Sequence, residues 1–351
     1  MENQPSLFKG EIMEELLRNY FLNLGFYVVR GVKFKYEGHE ITDVDLYLYG
    51  RSSTLTRQRI NVDIKNKKTP QTFERILWTN GLMRLLNFNS CIVATTDQRP
   101  VIHAFGQLHD TAILDGSFLA KLRTNTFPDR LTEEDLLTIL SQYKGYKSSN
   151  SKDWKFAYEI SKSKLLTEQD FSGFNSSLSN LEYFMELILV DEQKRADAIR
   201  LVYILLSHVL VIIDFIIRDI AFLDTADREK KLSDGFKFGN LGKDGVDKII
   251  SMAVKISGVS ASSYMKSLEG VPTDILKDFF SKNDNAKNLF NWSKEFENLG
   301  FKKNLIFPDL IDAPLKGVFS VILDFIGIER KKFFDLFPKA VSTSNHLGEN
   351  K

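Results

Sequence analysis

Asp63 and Lys65 stand two residues apart in residues 60–68, I-N-V-D-I-K-N-K-K, a run that alternates apolar and polar side chains. On a β-strand successive side chains alternate faces, so a carboxylate and an ammonium would share one face while Val62 and Ile64 turn into a core. Residues 41–49, I-T-D-V-D-L-Y-L-Y, repeat the pattern, with Asp43 and Asp45 on a single face. Two adjacent strands of this kind would bring Asp45, Asp63 and Lys65 together. That set suits a divalent metal and a water. Magnesium takes oxygen ligands, typically one or two carboxylates plus waters. Phosphodiester hydrolysis needs a metal to offset developing charge, a water made nucleophilic and a positioned phosphate. Asp45 and Asp63 would supply the carboxylates and the carbonyl of Ile64 a backbone ligand. Lys65 would orient the water or steady the anionic phosphate.

The elements that must position these residues follow from periodicity. Residues 6–24 carry Leu7, Ile12, Leu16, Leu17, Tyr20, Phe21 and Leu24 at helical spacing, with Gly25 as a stop and Glu11, Glu14 and Glu15 on the polar side. Residues 26–32 read as a strand, 33–40 as a polar turn, and 41–49 and 59–65 as the two acidic strands. Thr69-Pro70 opens a helix over 71–86, residues 91–95 form a short buried strand, and 100–109, 112–114 and 117–122 read as helix, strand and helix. The order is that of an α/β unit, a mixed sheet with flanking helices.

Beyond it the texture changes. Leu131-Thr132-Glu133-Glu134 predicts a capped helix to about residue 143, and residues 144–153, K-G-Y-K-S-S-N-S-K-D, read as a linker. Helices are predicted over 175–189, 197–223, 246–256, 273–281, 287–299 and 314–336. A Gly/Asp/Lys-rich connection is predicted over 224–245. This divides the chain into an α/β domain (1–145), an all-α domain (154–340) and a polar tail (341–351).

Composition narrows the class. At 351 residues the chain exceeds what one core usually supports, and 43% hydrophobic with 26% charged residues is ordinary for a globular protein. The net charge of +1 gives no global basic field, so contact with a polyanion would need a local patch. A single cysteine, Cys91, excludes an internal disulfide framework and a cysteine zinc cluster; it is predicted as a packing thiol. No basic, then apolar, N-terminal segment reads as a secretory signal, and with the lone thiol this fits a reducing cytoplasm. Residues 201–223 are long enough to span a bilayer but carry His208, Asp214, Arg218 and Asp219, so the expectation is a buried core helix and no membrane association.

The ordered set of helix glutamate, strand aspartate, D-x-K strand, helix and buried strand resembles the PD-(D/E)xK nuclease superfamily. Within it, the resemblance is to Holliday junction resolvases and Mrr-type restriction endonuclease domains. It covers about residues 8–122. K-G-E-I-M-E-E-L-L followed by L-G-F-Y-V-V-R looks like the family's opening helix and first strand, and by its distance from Gly25, Glu14 falls where the family's helix glutamate sits. D-V-D-L-Y-L-Y looks like the metal-binding strand, with Asp45 as its aspartate, and V-D-I-K-N like the (D/E)xK strand. T-A-I-L-D-G-S-F-L resembles the closing strand and helix. Two departures stand out: Asp63 where the family often has Glu, and no Pro before the strand aspartate.

The resemblance implies a restriction-endonuclease-like fold and a Mg²⁺-dependent DNA endonuclease, with Mn²⁺ able to substitute, in restriction, defence or repair. Asp45, Asp63, Lys65 and Glu14 would be catalytic, and Asp45, Asp63 and the Ile64 carbonyl the metal ligands. Gln71, Lys67, Lys68 and Arg59 are the substrate-binding candidates, with Arg57, Lys33 and Lys35 also nearby. Asp43 against Asp45, and Glu11 or Glu15 against Glu14, remain open as ligands. Cleaving both strands of a duplex would favour a homodimer through the helical half. The competing expectation is a silent nuclease fold that binds nucleic acid or a protein partner. His39 reads as an ordinary loop residue and His208 as a satisfied core group.

Overall fold

Three consecutive segments with large apolar residues on both faces dictate a sheet that must be covered on both sides. The computed structural model describes residues 9–122, 129–143, 153–257 and 270–337, and its five strands stand in the order β1-β2-β3-β4-β5. β1 (Tyr27–Tyr36), β2 (His39–Arg51) and β3 (Arg57–Lys65) form an antiparallel meander. β4 (Ser90–Thr95) and β5 (Thr111–Leu114) run parallel to β3, through the crossover helices α2 (Thr72–Leu85) and α3 (Val101–Leu108). Helix α1 (Lys9–Asn23) precedes the sheet and α4 (Gly116–Leu122) closes it. This is the predicted element order, with β1 longer than expected. Residues assigned to a polar turn extend the hairpin instead, to a two-residue turn at Glu37 and Gly38, both at positive φ (47° and 84°).

One face of the sheet packs on α1 and α4: Met13, Leu17 and Phe21 meet Val28, Leu46, Leu48, Val62 and Ile64, with Leu119 and Leu122 beside them. The other face, carrying Tyr27, Val29, Tyr47 and Tyr49, belongs to one continuous core with the helical half. That half is built on α6 (Trp154–Thr167), α7 (Phe171–Val190) and α8 (Arg195–Ile220). Helix α8 is long and apolar enough to cross a bilayer, but its most apolar window is 94% buried inside the protein, the position of a core helix. Burial pushes the His208 imidazole down to about 3, with Lys162 adding to the shift, and its Nδ1 lies 2.7 Å from Ser161 Oγ. It is the satisfied core group expected, and Cys91 is likewise buried.

The long connection expected over 224–245 is largely helical, which corrects the sequence reading. Asp224 caps α9 (Thr225–Phe238) by accepting the Asp227 N–H at 2.9 Å, and Leu232 and Phe236 bury one stripe. The many charges on its solvent side hid a narrow apolar face. The helix predicted over 314–336 breaks at Gly327 (φ 75°) into two helices, Ala313–Phe325 and Arg330–Phe334. Asp153, read as the end of the linker, is the N-cap of α6, taking the Phe156 N–H at 3.1 Å. Tyr143 and Trp154, on either side of the linker, stack with ring centroids 4.1 Å apart. Residues 144–152 and the tail over 341–351 lie outside the described residues.

The two halves are joined by polar groups as well as apolar area. Asp214 of α8, fully buried, accepts from Tyr49 Oη (2.6 Å), Arg57 Nε (2.5 Å) and Arg51 Nη1 (2.9 Å). Removing one partner of such a cluster strands buried cations. Asp214→Ala is expected to cost about 3–5 kcal/mol of stability in denaturant unfolding; a loss below about 1 kcal/mol would show that the cluster does not hold the halves together.

Candidate functional site at the β2–β3 fork

The pairing of β2 with β3 runs from Arg51↔Arg57 to Leu46↔Val62 and stops there. Asp45 and Asp63 are the next residues on each strand, so both stand where the strands part. β3 stays paired on its other side to β4 as far as Lys65↔Thr95. The Ile64 N–H, which has lost its strand partner, is taken by Asp45 Oδ2 at 2.6 Å. On the other side of β2 the ladder skips Gly31 and Asp45 between Arg30↔Leu46 and Val32↔Val44. Gly31 sits there at φ 60°, a conformation that a side chain would strain.

Lys65 Nζ lies 3.6 Å from Asp45 Oδ2 and 3.4 Å from Asp63 Oδ1, so the three residues singled out by spacing meet at the fork. Asp43, the alternative to Asp45, is solvent-exposed farther along the hairpin. Glu14 binds Arg30 Nε at 2.6 Å and lies near enough to Asp45 to raise its pKa. Glu15 is buried, accepting from Arg30 Nη1 at 2.9 Å and the Glu133 N–H at 3.0 Å, which commits it to structure. Among the described residues no group of three or more His, Cys, Asp or Glu side chains is arranged to hold a metal. The side-chain oxygen donors at the fork are the carboxylates of Asp45 and Asp63, hard ligands of the sort Mg²⁺ accepts when other oxygens and waters fill the remaining positions.

Sequence reasoning missed Arg75. It reaches from α2 to Asp63, with Nε 3.0 Å from Oδ2 and Nη2 on Oδ1. The signal available was its place one helical turn after Gln71, on the face of α2 that looks toward the strand end. Arg30, which gathers Glu14, Glu15 and Glu134, was also missed; its partners sit on two different helices, 16, 15 and 104 residues away in the chain.

The flanking cations divide sharply. Lys67 and Lys68 are exposed and, with Lys9, Ile12, Met13, Leu16, Asn66 and Thr96, line a cleft of about 610 Å³. A second cleft of about 510 Å³ shares Lys68 and Thr96 and continues past Gln71 to Arg99. Together they make a groove across the carboxyl ends of β3 and β4, the usual ligand position of an open α/β sheet. None of Asp45, Asp63 and Lys65 lines either cleft; Lys65 is followed in the chain by Asn66, which lines the first. Arg59 lines neither cleft. It is only 7% exposed, donates to the Leu166 carbonyl at 2.7 Å and packs between the Phe88 and Phe215 rings. Arg57 is likewise committed, to Asp214. Lys33 pairs with Glu40 at 3.1 Å and Glu159 at 3.4 Å.

The chain matches no protein-family model, no curated protein and no solved structure.

Burial pushes the Asp45 carboxyl up to about 7; Asp63 and Glu14 add to the shift, while Lys65 and the Ile64 amide oppose it. The folded protein thus keeps this proton over a range where the unfolded chain has released it, so this residue's contribution to stability declines as pH rises from about 4 through about 7. Asparagine keeps an acceptor for the Ile64 N–H without the charge. Asp45→Asn is expected to be more stable than the native chain at pH 8, by about 1–3 kcal/mol, and to lose that advantage toward pH 4, as read by metal-free thermal melts across pH. A pH-independent difference would reject the assignment.

Proposed function

We propose that the chain is a divalent-metal-dependent endonuclease acting on DNA, and that its N-terminal sheet with α1 to α4 has the restriction-endonuclease-like fold. The observation that carries this reading is the fork itself. Asp45 is fixed by the Ile64 amide and meets Asp63 and Lys65 at one point, beside an open groove edged with lysines. The element order of helix, three antiparallel strands, helix and parallel strand supports it.

Mg²⁺, or Mn²⁺ in its place, would be held by Asp45, Asp63 and the Ile64 carbonyl, and when bound would neutralise phosphate charge and lower the pKa of a coordinated water. Lys65, between the two carboxylates, would hold that water or the scissile phosphate by its ammonium. Glu14 acts at one remove, through the field it exerts on Asp45 and through Arg30. Lys9, Lys67, Lys68 and Gln71 would contact phosphates along the groove, the local basic patch that the near-zero net charge requires. Cleavage of a duplex on both strands would then use two copies of the chain.

A second reading is favoured by one observation: both oxygens of Asp63 are engaged by Arg75. On that reading the sheet domain binds nucleic acid and cuts nothing. The two separate in one assay. Asp63→Ala and Lys65→Ala are each expected to lower Mg²⁺-dependent cleavage of DNA by about 10²-fold or more, at unchanged thermal melting. Cleavage that persists in both variants would reject the nuclease reading. DNA binding by the native chain with no cleavage in Mg²⁺ or Mn²⁺ would establish the second.

A further inference from the structure

Asp63 is a carboxylate of the fork whose oxygens are both taken by one guanidinium. A two-pronged pair of this kind occupies one lone-pair direction on each oxygen, two of the about four that the acid has. Lys65 Nζ stands 3.4 Å from the same Oδ1. A cation that takes both oxygens of Asp63 as a chelate must therefore displace Arg75. Resting on the nuclease reading, we propose that Arg75 is a phosphate-binding residue of the site, held on Asp63 in the free protein and released to the nucleic-acid backbone when a divalent ion takes the carboxylate.

Position supports the exchange. The Arg75 N–H donates to the Gln71 carbonyl at 3.1 Å, so Arg75 stands one turn into α2, beneath the groove wall formed by Thr69, Pro70 and Gln71. Its side chain is 25% exposed, so a path to solvent is open. Its guanidinium lies 5.9 Å from the ring of Trp78, itself 49% exposed, which offers a stacking surface on the outward route.

Charge supports it too. At the fork, Asp45 and Asp63 are offset by Lys65 and Arg75. With both acids ionised the four groups sum to zero; a divalent ion entering them meets two cations, and balance returns only if one withdraws and an anion arrives. A phosphodiester is that anion, and its oxygens suit the fork of a guanidinium as well as the carboxylate did. Metal and nucleic acid should therefore bind cooperatively, with Arg75 as the coupling element.

The test compares the native chain with Arg75→Gln and Arg75→Lys. Mn²⁺ affinity is measured by electron paramagnetic resonance without nucleic acid, and affinity for a fluorescently labelled duplex by anisotropy in Ca²⁺. Arg75→Gln is expected to bind Mn²⁺ about fivefold or more tighter and the duplex about fivefold or more weaker, with Arg75→Lys between. Mn²⁺ affinity that does not rise, or duplex affinity that does not fall, overturns the inference. Equal, measurable Mn²⁺ binding by native and variant chains overturns the role of Arg75 alone, whereas no Mn²⁺ binding by either removes the nuclease reading with it. Should the variants fail to fold, the native chain still reports. Its Arg75 Nε–H resonance is expected to shift on adding Mg²⁺, and an unmoved resonance at saturating Mg²⁺ overturns the inference.

Discussion

The buried carboxylate of Asp214 is the contact on which the assembly of this chain turns. A sheet with aromatic residues on its second face cannot leave that face in water, and the helical half that covers it brings an acid into a dry interface. The acid is tolerated because Arg57, Arg51 and Tyr49 converge on it from the sheet. A second cluster works the same way at the other edge. There Arg18 and Arg130 meet Glu297, and Lys162 meets Glu133 while also donating to the Arg30 carbonyl. With both faces covered, the sheet opens among the described residues where β2 and β3 part. Asp45, Asp63 and Lys65 stand at that place.

The fork is charged and half-buried at once. Asp45 gives up water for a single amide and one lysine at a distance, so it keeps its proton far longer than an ordinary aspartate. Asp63 is matched in full by Arg75 and Lys65. Two acids in one small space thus stand in different surroundings, one buried against a single amide and the other ion-paired with a guanidinium.

Much of this was legible in the sequence, and the reason is period 2. Alternation in residues 41–49 and 60–68 assigns Asp45, Asp63 and Lys65 to one face, and the hydrophobic count forbids leaving the other face bare. What alternation cannot reveal is what covers a face. Arg59 shares the parity of Asp63, but it lies four residues up the strand, about 13 Å away, under the helical half. Arg30 was unreadable because Glu134, which joins Glu14 and Glu15 on it, lies 104 residues away, and Glu133 because Arg18 and Glu15 lie 115 and 118 residues before it. The helix at Thr225–Phe238 was hidden for a different reason: a narrow apolar stripe among lysines and aspartates is indistinguishable by composition from a polar connection.

The tyrosine face of the sheet has a consequence for how the protein is made. Tyr27, Tyr47 and Tyr49 lie in the first fifty residues, yet the helix that seals them, Arg195–Ile220, is synthesised about 150 residues later. At typical elongation rates the nascent sheet therefore waits about ten seconds or more with that face open. Its antiparallel meander can form early, but it cannot be finished early. A chain broken off before Arg195 would lack the helix that covers this face and would leave the tyrosines in water.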